Sequence, residues 1–149
     1  NDTPLETTSA EVMKAASAVC AMIAEGKSLK DACATEGMPP RSTFYHWLSS
    51  HSAVLDMYTR AREERADLLA DQVLDIADAP LDLPEGDEDG DDAAAKVKFR
   101  KALEQRRQMI DARKWAAAKL NPKVYSERTN LDHSGSVKVT HEKALSELE

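Results

Sequence analysis

Residues Ser28 to Leu48, SLKDACATEGMPPRSTFYHWL, decide how the N-terminal part of this chain folds. Ser28 followed by an acid three residues later is typical of a helix start, so a short first helix is predicted. Gly37 favours the left-handed turn that ends such a helix. The prolines at 39 and 40 stop the first helix but are tolerated at the start of the next. The stretch therefore predicts a helix-turn-helix.

The second predicted helix has one apolar and one polar face. Phe44, Trp47 and Leu48 follow the i, i+3, i+4 spacing of a buried stripe. The opposite face carries hydroxyl, imidazole and guanidinium groups, which can contact DNA phosphates and base edges. With two preceding lysines, the predicted DNA-binding residues are Lys27, Lys30, Arg41, Ser42, Thr43, Tyr45, His46 and Ser49. The alternative is a helical hairpin within a core, whose polar side chains only contact solvent.

Length and composition indicate a mainly α-helical protein with a modest core, since the 149 residues include only five glycines and 5% aromatic residues. No apolar run approaches the roughly 20 residues needed to cross a bilayer, and no secretory signal pattern is present. Cys20 and Cys33 both lie in helical apolar patterns. We expect free structural thiols in a reducing compartment, and hence a cytosolic protein.

Charge is segregated along the chain, although the net charge is −7. Residues 67–92 contain eleven acids and no bases, whereas residues 93–125 contain ten bases and two acids. Such blocks favour charge-dependent assembly or nucleic-acid contact. The alternative is two solvent-exposed helix faces whose fields cancel across an antiparallel pair.

A long helix is predicted to join two packing units. A first helix begins at the capping box formed by Thr8 and Glu11, and another runs from about residue 53 to 78 without Gly or Pro. We predict three segments: a helix-turn-helix domain over 1–52, a helical hairpin over 53–122 with an acidic loop at 79–92, and a C-terminal segment over 123–149.

The central hairpin is expected to self-associate, because two helices bury too little apolar area to be stable alone. Apolar residues on its two helices, Leu69, Val73, Ile76, Phe99, Leu103 and Ile110, form the predicted oligomerisation stripe. After Asn121-Pro122 the sequence becomes rich in β-forming residues. This favours a short β-hairpin with strands from Val124 to Asp132 and from Ser136 to Thr140 around a turn at 133–135, whose open edges several subunits would close into an intersubunit barrel.

Enzymatic function is not indicated. The chain has no P-loop, no Gly-rich phosphate cradle and no G-x-S-x-G motif. The four histidines lack metal-ligand spacing with the two cysteines. We expect no catalytic residue, no metal and no cofactor.

Two motifs resemble those of one family. Residues 113–125, RKWAAAKLNPKVY, resemble the signature of the small terminase subunits of tailed double-stranded DNA bacteriophages, and the helix-turn-helix from Gly37 to Leu48 is similar to that of the same branch. The resemblance implies a ring that recognises the packaging-initiation site on concatemeric viral DNA in the host cell cytoplasm. It also implies that the C-terminal region contacts the large terminase subunit, which carries the ATPase and nuclease.

The resemblance further implies that Arg113, Lys114, Trp115 and Tyr125 are assembly residues, the two aromatics as buried anchors and the two bases as interfacial charge partners. The alternative for Trp115 is a core aromatic within one chain. Two other functions stay open: a dimeric helix-turn-helix transcriptional regulator or transposase-type DNA-binding module, and an assembly scaffold whose helix-turn-helix binds protein.

Overall fold

The computed structural model describes residues 8–81 and 92–127, and every regular element within them is a helix. In chain order the helices are α1 (Ser9–Ala24), α2 (Leu29–Ala34), α3 (Arg41–Ser50), α4 (Ser52–Asp78), α5 (Asp92–Leu120) and α6 (Pro122–Tyr125). None of these helices is long and apolar enough to span a membrane.

The helix starts near the N-terminus follow the capping pattern of the sequence. The Thr8 side chain accepts a hydrogen bond from the Glu11 backbone N–H, and the Glu11 carboxylate accepts one from the Thr8 backbone N–H. The Ser28 hydroxyl oxygen accepts from the Asp31 backbone N–H at 3.1 Å in the same way. These bonds satisfy backbone donors that a helix start would otherwise leave free, so α1 and α2 begin where the sequence predicts.

The N-terminal core is formed by α1, α2, α3 and the first half of α4. Its largest fully buried side chains come from three of these helices and are Val19, Ile23, Phe44 and Val54. Gly26 ends α1 with a φ of +111°, and Gly37 ends the turn after α2 with a φ of +82°. Both glycines therefore have the left-handed backbone that the helix-turn-helix prediction requires.

The second half of α4 packs against α5 as an antiparallel hairpin. Three side-chain hydrogen bonds join the two helices and their ends: Arg62 with Lys119, Gln72 with Arg113, and Pro80 with Arg106. Residue numbers increase along α4 and decrease along α5 in these pairs, so the two helices are antiparallel. Outside the N-terminal core, the fully buried apolar residues of the described ranges are two alanines, Ala66 and Ala117. The hairpin thus has little core of its own.

The predicted C-terminal β-hairpin, and with it the β part of the predicted fold class, is wrong. At Val124, where its first strand was expected to begin, the chain is in α6. Pro122 is at the start of this helix, where its fixed φ suits helical geometry, and the Val124 and Tyr125 N–H groups both donate to the Asn121 carbonyl. No strand occurs in residues 8–81 or 92–127, and Asn121-Pro122 separates two helices without a change of fold class.

Two other predicted features lie mostly or wholly outside the described residues. They are the acidic loop at 79–92, of which residues 82–91 are not described, and the second predicted strand, Ser136 to Thr140.

Candidate nucleic-acid interface and self-association surface

Helix α3 is fixed on the core by its apolar face. Phe44 is completely buried and Trp47 is 8% exposed, while Leu48 is half-buried. The Phe44 ring meets the Tyr58 ring of α4 edge to face, with centroids 5.5 Å apart and planes at 73°. An edge-to-face aromatic contact fixes ring orientation as well as burying area. The predicted inward face of α3 is therefore confirmed.

The opposite face of α3 is open to solvent. Ser42, Tyr45, His46 and Ser49 follow i, i+3, i+4, i+7 spacing, so they share one face, and all four are exposed. Tyr45 has 52% of its surface accessible. The Ser49 hydroxyl donates to the His46 carbonyl at 2.8 Å, which leaves its oxygen lone pairs to accept from a ligand.

The N-terminus of α3 completes this polar face. Its N-cap is Pro40, which makes no side-chain hydrogen bond to the helix, and the first turn contains no acid. Backbone N–H groups at a helix start carry partial positive charge and suit an anion such as a DNA phosphate. Arg41 is exposed at the first position of the helix, next to these groups. The start of α3 therefore has the features of a phosphate contact.

The remaining predicted DNA-binding residues are more scattered. Lys30 is exposed on α2, and Lys27 is exposed before it, with its Nζ 3.9 Å from the Met22 sulfur. Thr43 is half-buried on the side of α3 between its two faces. The structure thus groups Arg41, Ser42, Tyr45, His46 and Ser49 as exposed residues of α3. Thr43 is half-buried on the same helix, and the two lysines lie on α2 and just before it.

Burial keeps the nearby ionisable side chains of the core neutral. Burial raises the pKa of the Cys20 thiol to about 11. Burial also raises the pKa of Cys33, an effect that the positive charge of Arg41 opposes. A thiol with a raised pKa is a poor nucleophile and metal ligand at neutral pH. Both cysteines are free, and no cluster able to hold a metal ion occurs among the described residues.

A chain of contacts that sequence reasoning missed connects α3 to the hairpin. The Arg62 guanidinium carbon lies 5.7 Å from the centroid of the Tyr58 ring, whose other contact is Phe44 of α3. Arg62 also donates from Nη2 to the Lys119 carbonyl, 3.2 Å away near the end of α5. An arginine four residues after a tyrosine on a helix is the signal that was available in the sequence.

The predicted oligomerisation residues divide into two groups in one copy of the chain. The half-buried ones are Leu69, Val73, Ile76, Phe99, Ile110, Arg113 and Tyr125. The exposed ones are Leu103 at 41%, Trp115 at 67%, and Lys114. Three residues from three helices, Val73, Lys114 and Tyr125, line one shallow groove of the hairpin.

Two of the expected assembly residues bind within their own chain. Arg113 donates from Nε to the Gln72 side-chain oxygen at 3.0 Å, and from Nη1 to the Met109 carbonyl at 3.2 Å. The Tyr125 hydroxyl donates to an Asp67 carboxylate oxygen at 2.7 Å. This hydrogen bond, together with burial and the Asp67 charge, raises the pKa of Tyr125. Both residues therefore stabilise the hairpin of one copy.

Trp115 is not a core aromatic of its own chain, because two thirds of its surface is exposed. Its ring faces the Lys119 ammonium, which lies 5.8 Å from the ring centroid. Further large apolar side chains are exposed on the same hairpin and its short C-terminal helix, and the sequence reading did not single them out: Leu74, Val97, Met109 and Val124. Exposed large apolar side chains are typical of a protein–protein interface where they form one continuous patch, so these residues are candidates for a self-association surface.

Together these features define an α-helical protein with a helix-turn-helix, whose second helix presents a polar face to solvent, and a helical hairpin with exposed apolar side chains. Comparison with known proteins identifies the class more closely. Residues 12–132 match the family described as "Bacteriophage Sf6, terminase small subunit-like". The chain belongs to this family.

Solved structures agree with this assignment. Three crystal structures of the terminase small subunit gp1 of the bacterial virus Sf6, each with a different single substitution, are similar to this chain at 31% sequence identity. They cover 83% of this chain, and the match covers 88%, 88% and 83% of those chains, with TM-scores of 0.55, 0.55 and 0.54. No curated protein matches the chain.

Proposed function

We propose that this protein is a viral DNA-packaging adaptor. In this role it forms a ring, recognises the packaging-initiation site on concatemeric phage DNA, and recruits and regulates the large terminase subunit, which supplies the ATPase and nuclease. The observation that carries the proposal is the polar face of α3, fixed on the core by Phe44 and Trp47 and open to solvent from Arg41 to Ser49, in a member of the small terminase family.

A single copy is expected to bind DNA weakly. The segment 27–65 contains six bases and five acids, so it carries almost no net charge to attract a phosphate backbone. Few phosphate contacts give weak, salt-dependent binding. A ring of copies raises the effective concentration of the second and later contacts, and avidity rises by roughly 10²- to 10⁴-fold. We therefore place the role of the hairpin, through its exposed apolar residues, in holding the DNA-binding units together.

We assign no catalytic step to this chain. Its role is binding and regulation, and the residues proposed to contact DNA are Lys27, Lys30, Arg41, Ser42, Thr43, Tyr45, His46 and Ser49. The C-terminal region is the proposed contact with the large subunit.

The test measures DNA binding and particle mass for the same samples. Fluorescence anisotropy with a duplex of the phage packaging region, compared with a shuffled duplex, gives affinity and preference over a range of salt. Arg41→Ala and His46→Ala are each expected to weaken binding about tenfold, the loss of one good contact, and more where several copies bind together. Light scattering should show an unchanged mass.

Lys14→Ala is the matched control, because Lys14 is an exposed base on α1, outside the proposed surface. It removes the same charge and should leave DNA binding unchanged. A mass of two subunits for the unaltered protein would favour the dimeric regulator instead. Equal binding of Arg41→Ala and the unaltered protein would favour the scaffold function.

A further inference from the structure

An acidic stripe runs along the outer side of α4. Asp71, Asp75 and Asp78 are spaced by four and three residues, so they share one helix face, and all three are exposed. Leu74 lies between them with 63% of its surface exposed. The side of α4 that packs towards α5 carries half-buried residues at different positions, namely Leu69, Val73 and Ile76. The acidic stripe, defined by Asp71, Leu74, Asp75 and Asp78, therefore faces away from α5 of the same chain.

A basic stripe runs along one flank of α5. Arg100, Arg107 and Lys114 are seven residues apart, which places them on one helix face, and all three are exposed. Leu103 lies between the first two and is 41% exposed. Arg107 has an i, i+4 contact with Asp111 at 4.0 Å, but both side chains are largely in solvent, at 78% and 66% exposure. An exposed pair of this kind contributes little, so Arg107 has charge available for a further partner.

The acidic stripe matches part of the basic stripe in length, charge and apolar content. Asp71 to Asp78 spans seven residues, or about 10 Å at the helical rise, and so does the Arg100 to Arg107 part of the basic stripe, which continues to Lys114. Each stripe has one exposed leucine among its charges. In one copy the acidic stripe faces away from α5, so Asp75 and Asp78 are not directed at the basic stripe of the same chain.

We infer that the acidic stripe of one copy docks on the basic stripe of the next, so that copies associate head to tail. This inference rests on the proposed function, since it specifies the contact that would build the ring. A head-to-tail contact uses two different surfaces of each copy and therefore closes into a ring when the rotation allows it. A symmetric contact through either stripe alone would place like charges opposite each other, which is unfavourable.

The arrangement has a consequence for DNA binding. A basic stripe covered by the neighbouring copy is not accessible to a duplex, so the bases of α5 contribute to assembly and not to the DNA-binding surface. The high local charge of residues 93–125 is then explained without a second nucleic-acid site.

Complementary charge reversals test the inference on the full chain. Asp71→Lys/Asp75→Lys makes both stripes basic, and Arg100→Glu/Arg107→Glu makes both acidic. Each variant alone should need a protein concentration about 10- to 100-fold higher for half-maximal assembly, because attractions become repulsions at every contact. An equimolar mixture of the two should assemble again, with alternating copies, because every head-to-tail contact in it is complementary.

Controls separate charge from folding. Circular dichroism should show equal helix content for all variants, since the substituted residues are exposed. Lys98→Glu/Lys101→Glu makes the same charge change at exposed positions of α5 outside the basic stripe, and it should assemble like the unaltered protein. Salt at about 1 M, where the Debye length is only about 3 Å, should reduce the difference between the variants and the unaltered protein.

Several results would overturn the inference. These are normal assembly of either reversal variant alone, a mixture that stays dispersed, and an Arg100→Glu/Arg107→Glu variant that assembles but loses DNA. The last would identify the basic stripe as a DNA contact. A failure of the proposed function looks different, because the unaltered protein would then neither form a ring nor bind the duplex.

Discussion

Polar side chains at single positions hold the hairpin together where its apolar core is thin. Arg106 donates from Nη2 to the Pro80 carbonyl at 3.1 Å, just beyond the end of α4, and Arg113 binds Gln72 across the two helices. Both arginines interrupt the apolar stripe of α5 that the sequence suggests. In the structure Arg106 binds a backbone carbonyl just beyond α4, and Arg113 binds a side-chain amide of α4 and a carbonyl of its own helix. These residues are therefore part of the hairpin's packing and do not disrupt it.

The hydrogen bond from Tyr125 to Asp67 predicts a loss of stability at high pH. Its folded-state pKa is raised above the ordinary value of about 10, chiefly because the protonated hydroxyl donates to the carboxylate. The contribution to stability is therefore complete below the unfolded-state pKa and is lost as the pH rises through the folded-state pKa. Tyr125→Phe should lower the free energy of unfolding by about 0.5–1 kcal/mol at neutral pH, because the contact is exposed.

This difference in the free energy of unfolding between the protein and Tyr125→Phe should decrease as the pH rises through the folded-state pKa of the phenol, which lies above its ordinary value. Urea unfolding at several pH values measures it, and ultraviolet absorbance reports phenolate formation. Tyr45→Phe is the control, since it removes an exposed hydroxyl from α3. A difference in the free energy of unfolding between the protein and Tyr125→Phe that stays constant with pH would contradict a stabilising hydrogen bond from Tyr125 to Asp67.

The two left-handed glycines predict different costs for the same substitution. At Gly26 an added Cβ would lie 3.1 Å from the Leu68 Cδ2 atom, whereas at Gly37 it would meet no atom within 4 Å. Both alanine variants carry backbone strain of roughly 1–2 kcal/mol. Gly26→Ala should cost more in thermal or urea unfolding, because its Cβ also presses on the Leu68 side chain of α4. Equal losses at the two positions would show that Leu68 moves aside freely.

At the scale of elements, caps and breakers in the sequence predict most helix positions, and packing explains the exception. Thr8 and Ser28 begin helices and Gly37 turns the chain between α2 and α3 by local chemistry, so a single sequence suffices to find them. The segment after Asn121 has β-forming residues, but β-propensity depends on a partner strand. Here the Asp67 carboxylate of α4 accepts from Tyr125 and helps to hold α6 as a helical turn, a contact 58 residues apart that no local pattern reveals.

The candidate surfaces also contain some residues that local sequence patterns locate and others that only the fold locates. The inward and outward faces of α3 follow from helical periodicity alone. The placing of Arg113 against Gln72 and of Arg62 against Lys119 depends on how α4 and α5 align, which requires the fold. Trp115 illustrates the limit best, because a tryptophan in an alanine-rich helix has the same pattern whether it faces its own core or solvent.

The alanines of the hairpin predict that α4 and α5 need small residues at their closest contact. Ala117 is 2% exposed, so Ala117→Leu adds three carbons at the contact with α4, where only the shallow groove beside Val73 and Tyr125 can take them, and it should cost about 1–3 kcal/mol in urea unfolding. Ala112→Leu, on the exposed side of the same helix, is the matched control and should change stability by less than about 0.5 kcal/mol. Similar effects at both positions would mean that the hairpin adjusts its spacing without cost.

On the scale of the whole molecule, α4 connects two units, of which the first has a closed apolar core and the second does not. The N-terminal unit has a closed core around Phe44 and Val19, whereas the hairpin buries two alanines fully and exposes Leu74, Trp115 and Val124. Since α4 belongs to both units, a contact made by the hairpin with a neighbouring copy is rigidly connected to the orientation of α3. Assembly and DNA presentation are therefore mechanically linked in our proposal.

Trp115 gives the sharpest test of whether other copies bury the exposed apolar side chains of the hairpin. Since 67% of its surface is exposed in one chain, Trp115→Ala should leave the unfolding free energy of the dispersed chain within about 0.5 kcal/mol. If the indole of Trp115 is covered by a neighbouring copy in the assembly, Trp115→Ala should weaken the free energy of association by about 2 kcal/mol per contact. This corresponds to a dissociation constant raised roughly 30-fold. Analytical ultracentrifugation over a dilution series measures this. Leu55→Ala is the control, because it removes an exposed apolar side chain from the first half of α4, and it should leave the dissociation constant unchanged. Equal assembly of Trp115→Ala and the unaltered protein would place Trp115 outside the contact.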